Sequence, residues 1–239
     1  MTFAPLGRPG PRLLAGGRRG FGRVTIVTPD LVSAAVALDC EPSDLVLLLR
    51  TCDPQRRGHG GFRWPDVGLV TAPDWDPRPI CGYGLHGFKW GVGDGSLALW
   101  DADAWWLVVA ARRDEVVNLE GKVKVPRAYV VHASQDRYAA TQYLCARLPP
   151  GTWPVIGATL TAGDRSTLTA GDGSTLTAGD DSTLTAGGRS TLTAGDLSTL
   201  TWRWWDDRRW RLTTVYTGEG GIEAGKPYTC SRGTVTSKI

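Results

Sequence analysis

Ser166-Thr-Leu-Thr-Ala-Gly-Asp-Gly173 is the clearest unit of a repeat that runs from Gly157 to Thr201. Leu recurs at 160, 168, 176, 184, 192 and 200, Ser at 166, 174, 182, 190 and 198, and Gly at 163, 171, 179, 187 and 195. A period of eight is neither the heptad of a coiled coil nor the turn of a lone helix. Inside each octad the alternation has period two, the pleat of a strand. Ser166, Leu168 and Ala170 fall on one face, and Thr167 and Thr169 on the other. Leu is the only large apolar residue, so its face is the buried one. Gly171-Asp172-Gly173 supplies turn chemistry, glycine being free to take positive φ. One octad is thus a five-residue strand and a three-residue corner, and two octads make a flattened coil of 16 residues. The expected fold over 151–201 is a β-solenoid of about three coils with a thin core.

The unit Ala-Gly-x-x-Ser-Thr-Leu-Thr resembles the repeat of bacterial ice-nucleation proteins and their uncharacterised repeat-bearing relatives. The resemblance covers 45 residues, and both period and residue types match. Family arrays run to dozens of coils, against three here. The family's stacked tyrosine beside the corner glycine is replaced by Asp164, Asp172, Asp180, Gly188 and Asp196. Neither assembly through a tyrosine ladder nor export to an outer membrane is implied.

Stacked strands lie about 4.7–4.9 Å apart, and residues i and i+2 about 6.6 Å apart along a strand. One face then carries Thr159/Thr161, Thr175/Thr177 and Thr191/Thr193; the other carries Thr167/Thr169, Thr183/Thr185 and Thr199/Thr201. Each is a two-by-three grid of hydroxyls and methyls. Likeness to ice-nucleation and antifreeze solenoids implies an ice or ordered-water surface as partner, with self-association or a longer array. The plain alternative is that Thr is simply a good outward strand residue. Asp164, Asp180 and Asp196 fall on one edge, where stacked carboxylates repel. Calcium relieves such repulsion in nonapeptide solenoids, but here the second glycine pair is missing, and Arg165 can neutralise Asp181 instead. No cofactor is expected.

A short solenoid needs caps, since each end leaves a raw edge and an open core. After Thr201 the chain reads Trp202-Arg-Trp-Trp-Asp-Asp-Arg-Arg-Trp-Arg-Leu-Thr213. Continuing the pleat puts Leu200, Trp202 and Trp204 inward, with Asp206-Asp207 turning a hairpin into Trp210 and Leu212. Residues 202–239 are therefore expected to form a β cap rather than a platform for single-stranded nucleic acid.

Residues 24–150 read as a mixed α/β domain. Asp30 caps a short helix through Leu38. Stretches 44–50, 105–110 and 128–132 look like buried strands, and Ser134 caps a helix through Arg147. Gly91-Val-Gly-Asp-Gly95 has Ser96 where a dinucleotide fingerprint needs glycine, and reads as a turn. Cys52, His59, Cys81 and His86 are two thiols and two imidazoles of the kind that hold zinc, though their spacing fits no standard finger. A Cys81/His86 nucleophile pair lacks an orienting acid. No metal and no catalytic residue is expected; the alternative is a metal-binding or enzymatic N-terminal domain with the solenoid as spacer. Arg50-Thr-Cys52, His59-Gly-Gly-Phe-Arg-Trp64 and Gly84-Leu-His-Gly87 also resemble the uncharacterised domain that precedes octapeptide repeats in the bacterial relatives, a likeness that implies no activity.

The 239 residues are 41% hydrophobic and 21% charged, which excludes wholesale disorder. No apolar run approaches the ~20 residues of a membrane helix. Pro and Gly near the N-terminus interrupt the stretch a secretory signal needs. The net charge of +3 divides unevenly: residues 1–23 carry five arginines and no acid, 24–150 carry 13 basic and 15 acidic residues, and 151–239 carry nine of each. The basicity belongs to a Gly/Pro/Arg tail expected to be disordered, so the folded part offers no footprint for nucleic acid. Cys40, Cys52, Cys81, Cys145 and Cys230 are odd in number and scattered, a poor disulfide framework; reduced thiols in a cytoplasm are the expectation.

Overall fold

The computed structural model describes residues 25–26, 31–151 and 153–238. The basic tail and the Asp30 cap lie outside them. The described residues are mostly β, with two α-helices and three sheets and no closed barrel.

The first sheet is built from β1 (Thr25–Ile26), β2 (Leu45–Cys52), β3 (Gly68–Thr71), β4 (Leu85–Lys89), β5 (Trp105–Arg112), β6 (Val117–Leu119), β7 (Lys122–Val125) and β8 (Arg127–Ser134). Its order is β1-β8-β5-β2-β4-β7-β6, with β3 also on β8, and all its pairings are antiparallel. β2 and β5 are buried at nearly every position, which is why both read as continuous apolar runs. Asp44 is not in the strand; it closes a short 3₁₀ turn, Pro42–Asp44. Helices α1 (Leu31–Leu38) and α2 (Arg137–Cys145) pack on this sheet through Ala34, Ala35 and Leu38, and through Ala140, Thr141 and Leu144. The α2 cap is Asp136 rather than Ser134: the Asp136 carboxylate accepts the Tyr138 N–H at 3.0 Å. Ser134 instead accepts the Asp136 N–H at 2.9 Å, supporting the cap from one turn back.

The octads supply β9 (Thr159–Thr161), β10 (Thr167–Thr169), β11 (Thr175–Thr177), β12 (Thr183–Ala186), β13 (Thr191–Thr193) and β14 (Thr199–Trp205). Each strand pairs in parallel with the strand 16 residues on, β9-β11-β13 in one sheet and β10-β12-β14 in another. Leu176, Leu184, Leu192 and Leu200 are fully buried. Leu160 and Leu168, on the two strands that end their sheets, are half-buried.

Polar side chains hold the corners. The N–H groups of Ser166, Ser174 and Ser182 donate to the hydroxyls of Ser182, Ser190 and Ser198 at 3.0–3.1 Å. Those hydroxyls donate onward to the carbonyls of Gly163, Gly171 and Gly179 at 3.3–3.5 Å. The carboxylates of Asp164 and Asp180 accept the N–H of Asp180 and Asp196 at 3.0 and 2.8 Å. The stacked aspartates are thus held by backbone donors, and Arg165 meets the corner 16 residues on through its N–H on the Asp180 carbonyl at 2.7 Å, not through its charge. The left-handed residue of each corner is the third one: Arg165 (φ 54°), Gly173 (65°), Asp181 (54°), Arg189 (59°) and Leu197 (56°). The opening glycines serve a different purpose, since a Cβ on Gly179 or Gly195 would collide with the carboxylate of Asp164 or Asp180.

Two hairpins cover the last octads: β14 with β15 (Trp210–Tyr216), and β16 (Tyr228–Ser231) with β17 (Thr234–Ser237). Trp202 stands in register with Ala186 and is fully buried. Its indole N–H donates to the Ser190 carbonyl at 3.1 Å. Thr217 ends a serine ladder by accepting the Ser198 N–H at 2.8 Å. Trp204 is half-buried. Trp210 and Leu212 are 46% and 69% exposed. The cause is register: the turn sets Arg203 opposite Leu212 and Trp205 opposite Trp210, so outward residues face outward residues. On the other sheet β16 lies antiparallel to β13, with a buried Tyr228 opposite Leu192.

The first sheet is seated against the first octads. The Ile156 N–H donates to the Gly91 carbonyl at 2.9 Å, and the Gly95 N–H to an Asp172 carboxylate oxygen at 3.1 Å. A Cβ on Gly173 would collide with the Trp100 indole.

Candidate functional site

Period two sends threonine away from the leucine core, and the 16-residue pairing aligns the threonines into ranks. Thr159, Thr175 and Thr191 are directly opposite one another, as are Thr161, Thr177 and Thr193. On the other sheet Thr167, Thr183 and Thr199 form one rank and Thr169, Thr185 and Thr201 the second. Thr161, Thr167 and Thr183 are exposed, and the remaining nine are half-buried.

The cap extends these ranks in a way sequence reasoning missed. Thr229 lies opposite Thr191, and Thr236 opposite Thr229, so one rank crosses five strands. The hydroxyls of Thr229 and Thr236 are 3.3 Å apart. On the other sheet Thr214 lies opposite Thr201, with hydroxyls 3.0 Å apart, but Tyr216 interrupts the rank through Thr199. The signal was present as Thr234-Val-Thr236, a Thr-x-Thr outside the octad period. The Arg–Trp strand is paired internally, the Arg203 guanidinium lying 4.1 Å from the Trp210 ring centre.

Of the four zinc candidates, His59, Cys81 and His86 line one cleft. Cys52 does not line it; it is buried in β2, and burial raises its thiol. The described residues include no group of three or more His, Cys, Asp or Glu side chains arranged to hold a metal ion. Burial, with Lys122, Arg50 and Lys124 nearby, pushes His86 down to about 4. No helix among the described residues is long and apolar enough to cross a membrane.

These observations define an octapeptide-repeat β protein with aligned threonine ranks. Its sequence is similar to those of bacterial ice nucleation proteins. The chain is 35% identical over 137 residues to ice nucleation protein InaU of Pantoea ananas, covering 52% of this chain and 13% of that protein. It is 38% identical over 106 residues to an ice nucleation protein of Pseudomonas syringae, covering 44% of this chain and 9% of that protein. A third relative, the ice nucleation protein of Xanthomonas campestris pv. translucens, is 38% identical over 106 residues, 7% of its length. The chain therefore spans only a small part of the curated relatives it matches. No protein-family model matches it, and no solved structure does.

Proposed function

We propose that the octads form a three-coil β-solenoid whose Thr-x-Thr ranks order water in an ice-like arrangement, as a non-enzymatic, ice-nucleation-like module. In this view the chain divides near residue 150, the first domain packing through α2 on the β9 side of the solenoid's first coil and residues 202–239 closing the other end. The support is the strand-to-strand alignment of the twelve octad threonines in four ranks. Strand spacing of about 4.8 Å then sets hydroxyls and methyls on a regular lattice. The similarity to ice nucleation proteins points the same way. A few coils present a small lattice, so self-association enlarges it, and the edge strand β10 with its half-buried Leu168 is the surface available for that.

The test is droplet freezing and ice-recrystallisation inhibition, run beside light scattering on a sizing column. Thr175→Lys with Thr177→Lys should abolish ice activity while the fold, followed by circular dichroism, persists. Ice behaviour of the native chain indistinguishable from buffer, in monomer and assembled fractions alike, would remove the proposal.

A further inference from the structure

We infer that the cleft between β2 and β4 is a binding site for a phosphate oxyanion, the phosphoryl group of a small ester. The inference is independent of the ice reading and concerns the other end of the molecule. β2 pairs with β5 along its whole length, but with β4 only at Leu48 opposite Lys89 and Leu49 opposite Phe88. Beyond that point the two strands part, while β4 continues along β7. The gap opens into two adjoining lobes of about 520 and 480 Å³, both lined by Arg50, Gly58, His59, Cys81, His86 and Lys122. The three segments singled out by sequence, 50–52, 59–64 and 84–87, thus come together around one space.

The charge is one-sided. Neither Arg50 nor Lys122 makes an ion pair among the described residues. Arg50 Nε and His86 Nε2 are buried atoms with no hydrogen-bond partner. Opposite His86 in the β4–β7 register, Lys124 is fully buried, its Nζ donating to the carbonyls of Ile80 and Gly82 at 2.9 and 3.2 Å. Asp53 is already engaged by Arg57 at 2.9 Å and by the N–H groups of its own loop. That leaves Asp74 as the carboxylate in the second lobe. A buried guanidinium N–H without an acceptor is costly, and a dianionic oxyanion supplies that acceptor as well as a counter-charge for Arg50 and Lys122. The planar Arg fork matches phosphate oxygens two at a time. Gly58 permits the approach, since a Cβ there would lie 2.6 Å from Arg50 Nη2. Phe62 and Tyr83 wall the second lobe, which suits a flat organic group on the ester.

Calorimetric titration of the full chain with inorganic phosphate, phenyl phosphate and acetate at fixed ionic strength tests this. Saturable phosphate binding, tighter for phenyl phosphate and absent for acetate, is expected. Arg50→Gln and Lys122→Gln should each weaken it about tenfold, the effect of one charge-assisted hydrogen bond. Should Arg50→Gln fail to fold, Lys122→Gln at the cleft wall and phosphate-induced shifts of the His86 imidazole resonances carry the same decision. Flotation with phosphatidate vesicles separates the sources: retention lost in Lys122→Gln, without binding of soluble phosphate, assigns the phosphoryl group to a lipid. No binding in either format, or binding unchanged in both variants, overturns the inference.

Discussion

The first sheet and the octads solve the same problem with opposite means. β2 buries Leu45, Val46, Leu47, Leu48 and Leu49 in succession, and packing from both faces holds it. An octad strand buries one leucine, and the rest of its inward face is Ser and Ala. Apolar burial is worth about 25 cal/mol per Å², so the octads draw far less from it per residue. They compensate with periodic polar ladders, serine on backbone and aspartate on backbone, that leave few corner groups unsatisfied. A thin core therefore makes almost every octad position specific, whereas a thick one tolerates exchange.

If the single leucine is the whole apolar core of its strand, Leu184→Asn should cost roughly 4 kcal/mol or more, from the cavity and from a stranded amide. Hydrogen exchange should show the octads opening while β2 and β5 stay protected. A loss below about 1.5 kcal/mol in denaturant titration would show that the ladders alone hold the repeat. Next in size, Gly179→Ala should cost roughly 1–3 kcal/mol by overpacking against Asp164. Asp164→Ala in the double variant should relieve only the carboxylate part of the clash, since the Asp164 backbone N would still lie 2.7 Å from the added Cβ; additivity of the two would show that the carboxylate takes no part in it. Ser182→Ala comes third, at roughly 1–3 kcal/mol, because it strands the Ser166 N–H.

The two regions should also separate by pH. All three histidines, His59, His86 and His132, precede the octads. Burial is the leading cause that lowers His86, to about 4, and His132; Lys122, Arg50 and Lys124 press His86 the same way, and Asp74 opposes them. A histidine lowered in the folded state keeps its full contribution above the unfolded value of about 6.5, and loses it as pH falls from there. For His86 the loss continues down to about 4. Asp172 has the reverse sign: burial raises it, so its protonation favours the folded octads in acid. Exchange at pH 5 should therefore loosen β4 and β8 before the octads, and His86→Gln should flatten that dependence. Octads opening first would show that carboxylate titration dominates instead.

Leucine inward and threonine outward were legible because two periods, two and eight, agree on them. Trp202 was legible because it simply continues the register of Ala186. The outward face of Trp210 and Leu212 was not legible, because strand parity does not survive a hairpin: pairing Arg203 with Leu212 depends on the turn, which the alternation does not encode. The serine ladder was not read from the sequence, although the fixed place of serine on the leucine face was a signal for it. The oxyanion cleft was legible only as three unrelated segments; their meeting depends on where β4 leaves β2.

The smallest expected effect is a gain, and it tests whether the octads are specified at every corner or only at the ladders. Leu197 is 81% exposed and sits at φ 56°, where a side chain with a Cβ costs about 1–2 kcal/mol. Equivalent corners place Arg165, Gly173, Asp181 and Arg189 there, so no side chain is required by a neighbour. Asparagine tolerates the left-handed region better than leucine, and an exposed leucine gives up little apolar burial. Leu197→Asn should therefore stabilise the octads by roughly 0.5–1 kcal/mol, seen as a higher denaturation midpoint with an unchanged slope. A fall in midpoint would mean that Leu197 is covered in solution, which on this surface requires a second copy of the chain, and the sizing column would then show the variant dissociating.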